Sequence, residues 1–204
     1  MKKSIDEHAA RFDDVAAEYD DEHNQTDEYR ACVSLVLDHA RDALSGTETV
    51  LDVGCGTGAI GLSLAEDAGR VVFRDISEGM LDEARRKAEE AGLTNVEFGE
   101  GTFREPNYDG DVDIVVSNFA MHHLSDEEKR EAIDVLGALG PDRIVLGDVM
   151  FFGEPDPDEP FYSPEVDDPS TVGHLADCFT DAGYALIAVE PVHDQVGVLV
   201  GERV

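Results

Sequence analysis

Nine residues, Val50 to Gly58, read VLDVGCGTG. Four residues suited to a buried strand run straight into Gly54, Gly56 and Gly58, and an apolar helical pattern follows. A strand that ends in such a turn presents backbone N–H groups at a helix start, where a negative ligand group can be held. Glycine omits the Cβ that would obstruct the tight φ angles and the close approach of a ligand. Asp75 closes the next apolar run and lies at a plausible distance for a ribose contact. His122 and His123 follow a third such run, as a base or as groups that hold a substrate. Their competing role is packing or capping in the loop before the next helix.

Two ligand classes fit the turn. Gly56-Thr57-Gly58-Ala59-Ile60-Gly61 matches G-x-G-x-x-G, the dinucleotide fingerprint of nicotinamide cofactors such as NAD. The same stretch also reads Asp52-x-Gly54-x-Gly56-x-Gly58, with an acid just ahead of the glycines. A diphosphate is poorly served by a carboxylate at the mouth of its cradle, whereas a ligand with an ammonium group is well served. S-adenosylmethionine, with an amino group, a carboxylate, a cationic sulfonium and an adenosine, is such a ligand. An acid inside a glycine turn has no evident packing reason, which favours a ligand role for Asp52. Cys55 reads as a small residue fitted between glycines.

The elements that must position these residues alternate. A leader over residues 1–46 holds a short amphipathic helix, with Phe12, Val15, Ala16 and Tyr19 on one side, and a second helix from Tyr29 to Leu44. The leader is either an edge helix or a lid. Strands are expected at Thr49–Val53, Arg70–Ile76, Val96–Phe98, Val112–Ser117 and Arg143–Val149. Ser77 caps the helix carrying Met80 and Leu81, and Ser125-Asp126-Glu127-Glu128 is a capping box. Residues 153–169 hold five prolines and many acids, which predicts a loop or flap. Ser170 is expected to open the last helix. Ala185–Val189 and Val196–Gly201 then form a hairpin through Glu190–Gln195, so the last strand runs antiparallel. The pattern predicts one α/β domain over residues 1–204, with a core at 47–204, a parallel sheet and helices on both faces. Ligands of such sheets bind beyond the carboxyl ends of the strands, beside strand one.

Composition narrows the partners. Asp and Glu number 47 against 15 Lys and Arg, for a formal net charge of −32. Only Lys2, Lys3, Lys87 and Lys129 are lysines. The acids run along the whole chain and alternate with apolar periodicity, so the expectation is a folded protein that needs screening salt, as in an extreme halophile. Nucleic acid and anionic membranes are disfavoured, because both need a basic surface. Met1-Lys2-Lys3 leads into polar sequence without a signal peptide, and the expected location is the cytoplasm. Cys32, Cys55 and Cys178 are too far apart for a metal site or a disulfide framework. No metal is expected. The expected state is a monomer or homodimer.

The motifs resemble those of class I S-adenosylmethionine-dependent methyltransferases, and the likeness covers nearly the whole chain. VLDVGCGTG is similar to that family's first motif and is its most specific sign. VVFRDIS and GMLDEAR resemble the second, which implies that Asp75 takes both ribose hydroxyls and that Ile76 and Met80 lie at the cofactor. GEGTFREP falls where the family contacts adenine; Thr102 stands where an acid is usual, followed by Phe103, and its hydroxyl would accept from the adenine amino group. DVDIVVSNFAMHHL resembles the fourth motif, placing Asn118 near the methionine moiety. RFDDVAAEYD, which carries Tyr19, is similar to a leader that covers the cleft in small-molecule members. HHLSDEEK and IVLGDVMF look most like a bacterial small-molecule group associated with methionine salvage. Phe151 and Phe152, with Phe161 and Tyr162, are expected in the acceptor pocket or in a satellite core under the flap.

The resemblance implies a Rossmann-like, doubly wound, seven-stranded sheet of order 3-2-1-4-5-7-6. It also implies direct in-line methyl transfer to a small acceptor, with His122 or His123 as base or acceptor-binding group. Ser117-Asn118-Phe119-Ala120 lacks the Pro-Pro-aromatic stretch of nucleic-acid N-methylating members. A metal-dependent, catechol-type branch stays open, since acids are everywhere. The alternatives are a nicotinamide-dependent oxidoreductase and a non-catalytic S-adenosylmethionine-binding protein.

Overall fold

A computed structural model of the chain describes residues 5–22, 25–154 and 161–204. Residues 155–160 of the expected flap, and the first four residues, lie outside the described ones. In chain order, the leader forms α1 (Ile5–Val15), a 3-10 turn (Ala16–Glu18), α2 (Tyr19–Glu22) and α3 (Asp27–Arg41). The alternating core follows as β1 (Thr49–Val53), α4 (Ala59–Leu64), β2 (Arg70–Asp75), α5 (Glu78–Glu90), β3 (Val96–Glu100) and β4 (Ile114–Asn118). After a 3-10 turn (Met121–His123) come α6 (Asp126–Ala138), β5 (Arg143–Phe151), β6 (Ser170–Thr171), α7 (Val172–Asp181), β7 (Tyr184–His193) and β8 (Val196–Arg203).

The sheet order is β3-β2-β1-β4-β5-β8-β7, with the two-residue β6 beside the end of β5. This is the expected order once β6 is counted. Strands β1 to β5 are parallel, and β8 runs antiparallel between β5 and β7. Alternation along a strand sends successive side chains to opposite faces. Val50 and Val71 join the layer under α3, α4 and α5, while Leu51 and Val72 join the layer under α6 and α7. Both layers are apolar and closed, as the near-continuous apolar runs of the parallel strands require.

Most strand and helix ends differ from the sequence reading by one to four residues, and three departures have a clear cause. Helix α3 opens two residues earlier than Tyr29, where the Thr26 side chain accepts from Tyr29 N–H at 3.1 Å. Ser170 pairs with Met150 in β6, so Thr171 caps the last helix. Strand β7 runs through Pro191 to His193, leaving only Asp194 and Gln195 as the turn. Proline is tolerated there because β7 is an edge strand and the ladder shifts register between Pro191 and His193. Among the described residues, no helix is long and apolar enough to cross a membrane.

Candidate active site

The glycine turn leaves β1 at the carboxyl edge of the sheet. Gly54, Gly56 and Gly58 all have positive φ, at 67°, 51° and 87°. A Cβ on Gly54 would come within 2.6 Å of the Ala120 Cβ and 3.2 Å of the Phe103 ring, so only glycine lets these walls meet. A Cβ on Gly56 would meet nothing within 4 Å, because that side opens into a cavity. Gly58 is the N-cap of α4 and packs on Leu62, behind the cavity wall.

Two acids brace the turn. Asp52 is 1% exposed, and its Oδ2 accepts the Gly61 N–H at 2.8 Å. That bond ties β1 to α4 and is the packing reason absent from the sequence reading; Asp52 sits behind the cavity wall. Burial pushes its pKa up to about 7, against the pull of the Gly61 N–H. Asp75 does reach the cavity. Its Oδ2 accepts the Gly56 N–H at 2.8 Å and its Oδ1 the Ser77 N–H at 2.9 Å. Burial raises its pKa, opposed by these N–H groups. A carboxylate accepts about four hydrogen bonds, so with the Gly56, Ser77 and Ile76 N–H groups on it Asp75 keeps acceptor capacity for a ligand hydroxyl.

The cavity holds about 370 Å³ and is closed by Ile76, Met80, Thr102, Phe103 and Phe119, among others. Thr102 Oγ1 accepts N–H bonds from Arg104 at 3.2 Å and Glu105 at 2.9 Å. Its acceptor capacity is therefore filled, and what it can offer a ligand is its O–H. This reverses the direction expected from the sequence. The loop carrying Thr102 is held by Arg74, a buried β2 residue that sequence reasoning passed over. Arg74 donates to the carbonyls of Pro106 (2.9 Å) and Asn107 (3.2 Å), pairs with Glu97 and lies over the Tyr108 ring. An arginine inside an apolar strand run was the available signal.

The leader lies across the mouth. Asp13 Oδ1 accepts from Ser77 Oγ (2.6 Å) and Gly79 N–H (2.9 Å), and Asp20 accepts from Thr57 Oγ1 (2.6 Å) and pairs with Lys87. These bonds place Ile5, His8, Phe12 and Tyr19 on the cavity wall. A second chamber of about 220 Å³ adjoins the first and shares Phe12, Tyr19, Phe119 and His123 with it. Phe119 has φ +52°, a costly conformation for an aromatic residue. It turns the ring toward Tyr29 (5.3 Å between centroids) and Phe161 (6.4 Å). Of the aromatic residues singled out from the sequence, Phe161 and Tyr162 line this chamber. Phe151 packs at a tilt against Tyr162 (5.7 Å between centroids), Phe152 covers Gly197, and neither lines either of the two chambers.

His122 and His123 stand in the second chamber, and His123 borders both. His122 Nδ1 lies 2.6 Å from Asp148 Oδ1, whose other oxygen accepts the His122 N–H at 3.0 Å. Burial works against charge on His122, but Asp148 and Asp167 outweigh it and raise its pKa. His123 Nδ1 lies 2.7 Å from Asp167 Oδ1, yet burial dominates and lowers its pKa. Asp167 is desolvated too, but the two histidines and the Ser163 N–H outweigh that and hold its pKa down. Neither Asp148 nor Asp167 stood out in a chain so rich in acids. Asn118 turns the other way: its Oδ1 accepts from Cys32 Sγ at 3.3 Å, beside Gly147 and away from the cavity.

The methyltransferase-domain profile matches residues 50–139, the stretch from β1 through α6. An uncharacterized methyltransferase of Bacillus velezensis, RBAM_024380, is 33% identical over 85% of this chain and 88% of its own length. The chain belongs to the methyltransferase family. Another relative of this family member, the uncharacterized methyltransferase YrrT of Bacillus subtilis, is 39% identical over 69% of this chain and 66% of its own length. Among solved structures, the DhpI–SAH complex superposes with a TM-score of 0.73 at 21% identity, covering 98% of this chain and 96% of that one. That likeness fixes the methyltransferase fold.

Proposed function

We propose that the chain is an S-adenosylmethionine-dependent methyltransferase acting on a small-molecule acceptor. The observation that carries this reading is the pair of adjoining chambers, one walled by the glycine turn and Asp75, the other by aromatic residues and the histidine pair. The residues fit the cofactor: Gly54 and Gly56 leave the backbone open to it, Asp75 accepts the ribose hydroxyls, and Ile76, Met80 and Phe103 enclose the adenosine. Thr102 donates its hydroxyl to an adenine ring nitrogen. Asp52 acts from behind the turn, where its charge favours an ammonium group over a diphosphate. When bound, the cofactor supplies a methyl carbon already activated by a sulfonium. The chain has to align the acceptor with that carbon and exclude water. Phe12, Tyr19 and Phe119 form the partition at which the two ligands meet, and His122 or His123 holds the acceptor or takes its proton. A solved relative in fold is a complex with SAH, which supports the cofactor assignment.

The nicotinamide alternative is disfavoured by charge. A diphosphate in the larger cavity would face Asp75 and Glu128, while Arg104 is already paired with Glu128 and Glu131 at 3.2 Å each. Titration calorimetry with S-adenosylhomocysteine and with NAD decides between them: binding of NAD alone overturns the proposal. Turnover of a metabolite pool with methyl-labelled cofactor separates an enzyme from a binding protein.

A further inference from the structure

The second chamber gathers two histidines and a carboxylate, more than a single base or acceptor contact requires. His122, His123 and Asp167 each offer a ligand atom, and these atoms lie within 4.8 Å of one another. The three residues come from two segments, the 3-10 turn after β4 and the flap before β6. All are largely buried: their side chains are 10%, 20% and 7% exposed.

Two of the three donors, His122 and Asp167, are held from behind. Asp148 takes the His122 Nδ1 side at 2.6 Å, leaving Nε2 to face Asp167 Oδ1 at 4.0 Å. A carboxylate behind a histidine, fixing its tautomer, is the usual outer partner of a metal-bound imidazole. Asp148 is itself fixed, accepting the N–H of His122 (3.0 Å) and of Val149 (2.7 Å). Asp167 Oδ2 accepts the Ser163 N–H at 2.7 Å, which aims Oδ1 at the histidines. The flap that delivers it is anchored by Asp168 N–H on the His122 carbonyl (2.7 Å) and by Lys129 on the Asp168 carbonyl. His122 Nε2 and Asp167 Oδ1 face each other at 4.0 Å, too far apart for a direct hydrogen bond, and a gap of that width between two donor atoms has room for a cation bound to both.

We propose that His122 Nε2, His123 Nδ1 and Asp167 bind one divalent transition-metal ion of the Zn²⁺ or Co²⁺ type. Two imidazole nitrogens and one carboxylate suit such borderline ions, whereas Mg²⁺ and Ca²⁺ prefer all-oxygen sets. Ligand bonds of about 2.0–2.2 Å bring tetrahedral donor atoms to about 3.4 Å apart, so the gathered atoms need shifts of only about 1 Å. Binding through Nδ1 requires the His123 tautomer with its proton on Nε2, so the Nδ1 contact to Asp167 is replaced by the ion and the imidazole stays neutral. Three protein ligands leave a position open toward the aromatic walls of Phe119 and Phe161, where a lone-pair-bearing group of an acceptor would coordinate. Ion binding does not depend on the methyltransferase reading; only its use on an acceptor rests on that reading.

The test uses the full chain, stripped with a chelator and dialysed into molar KCl, which screens loose binding by surface carboxylates. Co²⁺ is the probe, read by its visible d–d absorption and by metal analysis after gel filtration. One Co²⁺ per chain is expected, displaced by Zn²⁺, with affinity falling by roughly 100-fold or more in His123→Gln and in Asp167→Asn and by about 10–100-fold in Asp148→Asn. Circular dichroism on the variants, and the wild-type spectrum itself, keep the outcome independent of misfolding. No retained ion, or equal binding by wild type and both ligand variants, overturns the proposal. Calorimetry with S-adenosylhomocysteine on the same samples keeps the two readings apart. Co²⁺ bound without nucleoside affinity sinks the cofactor assignment alone, and the converse sinks the ion site alone.

Discussion

Asp52 gives the sharpest quantitative prediction. Its carboxyl is 1% exposed and its folded pKa is pushed up to about 7, against roughly 3.9 in an unfolded chain. A raised acid pKa means that the fold holds the proton more tightly than the unfolded chain does. The contribution is therefore fully present below the unfolded value and is lost as pH rises through the folded one. Three units correspond to about 4 kcal/mol over the whole window, of which about 2 kcal/mol falls between pH 5.5 and 8. Asp52→Asn keeps an acceptor oxygen for the Gly61 N–H but cannot ionise. Urea unfolding in molar KCl at pH 5.5, 7 and 8 should show the asparagine variant gaining about 2 kcal/mol on wild type from the lowest pH to the highest. Other titrating groups cancel in that difference. A gap that stays constant across the range refutes the reasoning. Repeating the series with S-adenosylhomocysteine tests the ligand role: an ammonium near Asp52 keeps it ionised, so binding to wild type should strengthen as pH rises toward 7, and binding to the variant should not.

Asp75→Asn leaves an amide N–H facing either the Gly56 or the Ser77 N–H and removes a charged acceptor from the wall. Its dissociation constant for S-adenosylhomocysteine should rise by about 10–100-fold by calorimetry, as expected for about 1.5–3 kcal/mol per hydrogen bond to a charged group. Gly54→Ala drives a Cβ to 2.6 Å from Ala120 at φ +67°, so nucleoside binding should fall and the melting temperature drop together. Lys129→Met strips the Leu124 and Asp168 carbonyls of their buried donor, and urea unfolding should show a loss of about 1–3 kcal/mol. With a formal charge of −32, transfer from molar KCl to dilute buffer should cost the near-ultraviolet circular dichroism signal and restore it on adding salt back.

The frame was legible because every level of the sequence agreed on it. Apolar runs, glycines with positive φ, Ser77 and the Ser125 capping box each specify local geometry, and together they leave one parallel topology. Site residues were legible where chemistry and backbone position coincide. Gly54, Gly56 and Asp75 sit at strand ends, which the topology sends to the cleft. Asn118 also ends a strand, but a side chain's direction there depends on its neighbour. Gly147 opposite leaves room for the amide to turn toward Cys32. Asp52 was read as a ligand because its actual partner, a backbone N–H nine residues on, carries no sequence signature. Asp167 was hidden by composition. In a chain with 47 acids, one carboxylate on a proline-rich flap has nothing to mark it until the flap folds onto the histidines.

That abundance of acids bears on how the site selects cations. In molar salt the screening length is about 3 Å, so the surface acids contribute almost nothing at the cleft. Groups buried behind the wall are screened far less, and Asp52, Asp75, Asp148 and Asp167 are all buried. Each is fixed by at least one backbone N–H bond and cannot turn away as solvent composition changes. Asp75 lines the chamber assigned to a sulfonium ligand with an ammonium group, with Asp52 behind its wall, and Asp167 lines the chamber assigned to a metal ion, with Asp148 behind His122. On the proposed assignments, discrimination in favour of positive charge rests on these four oriented acids rather than on the net charge. Neutralising surface acids by the dozen should change solubility and salt requirement while leaving ligand affinity in molar KCl in place.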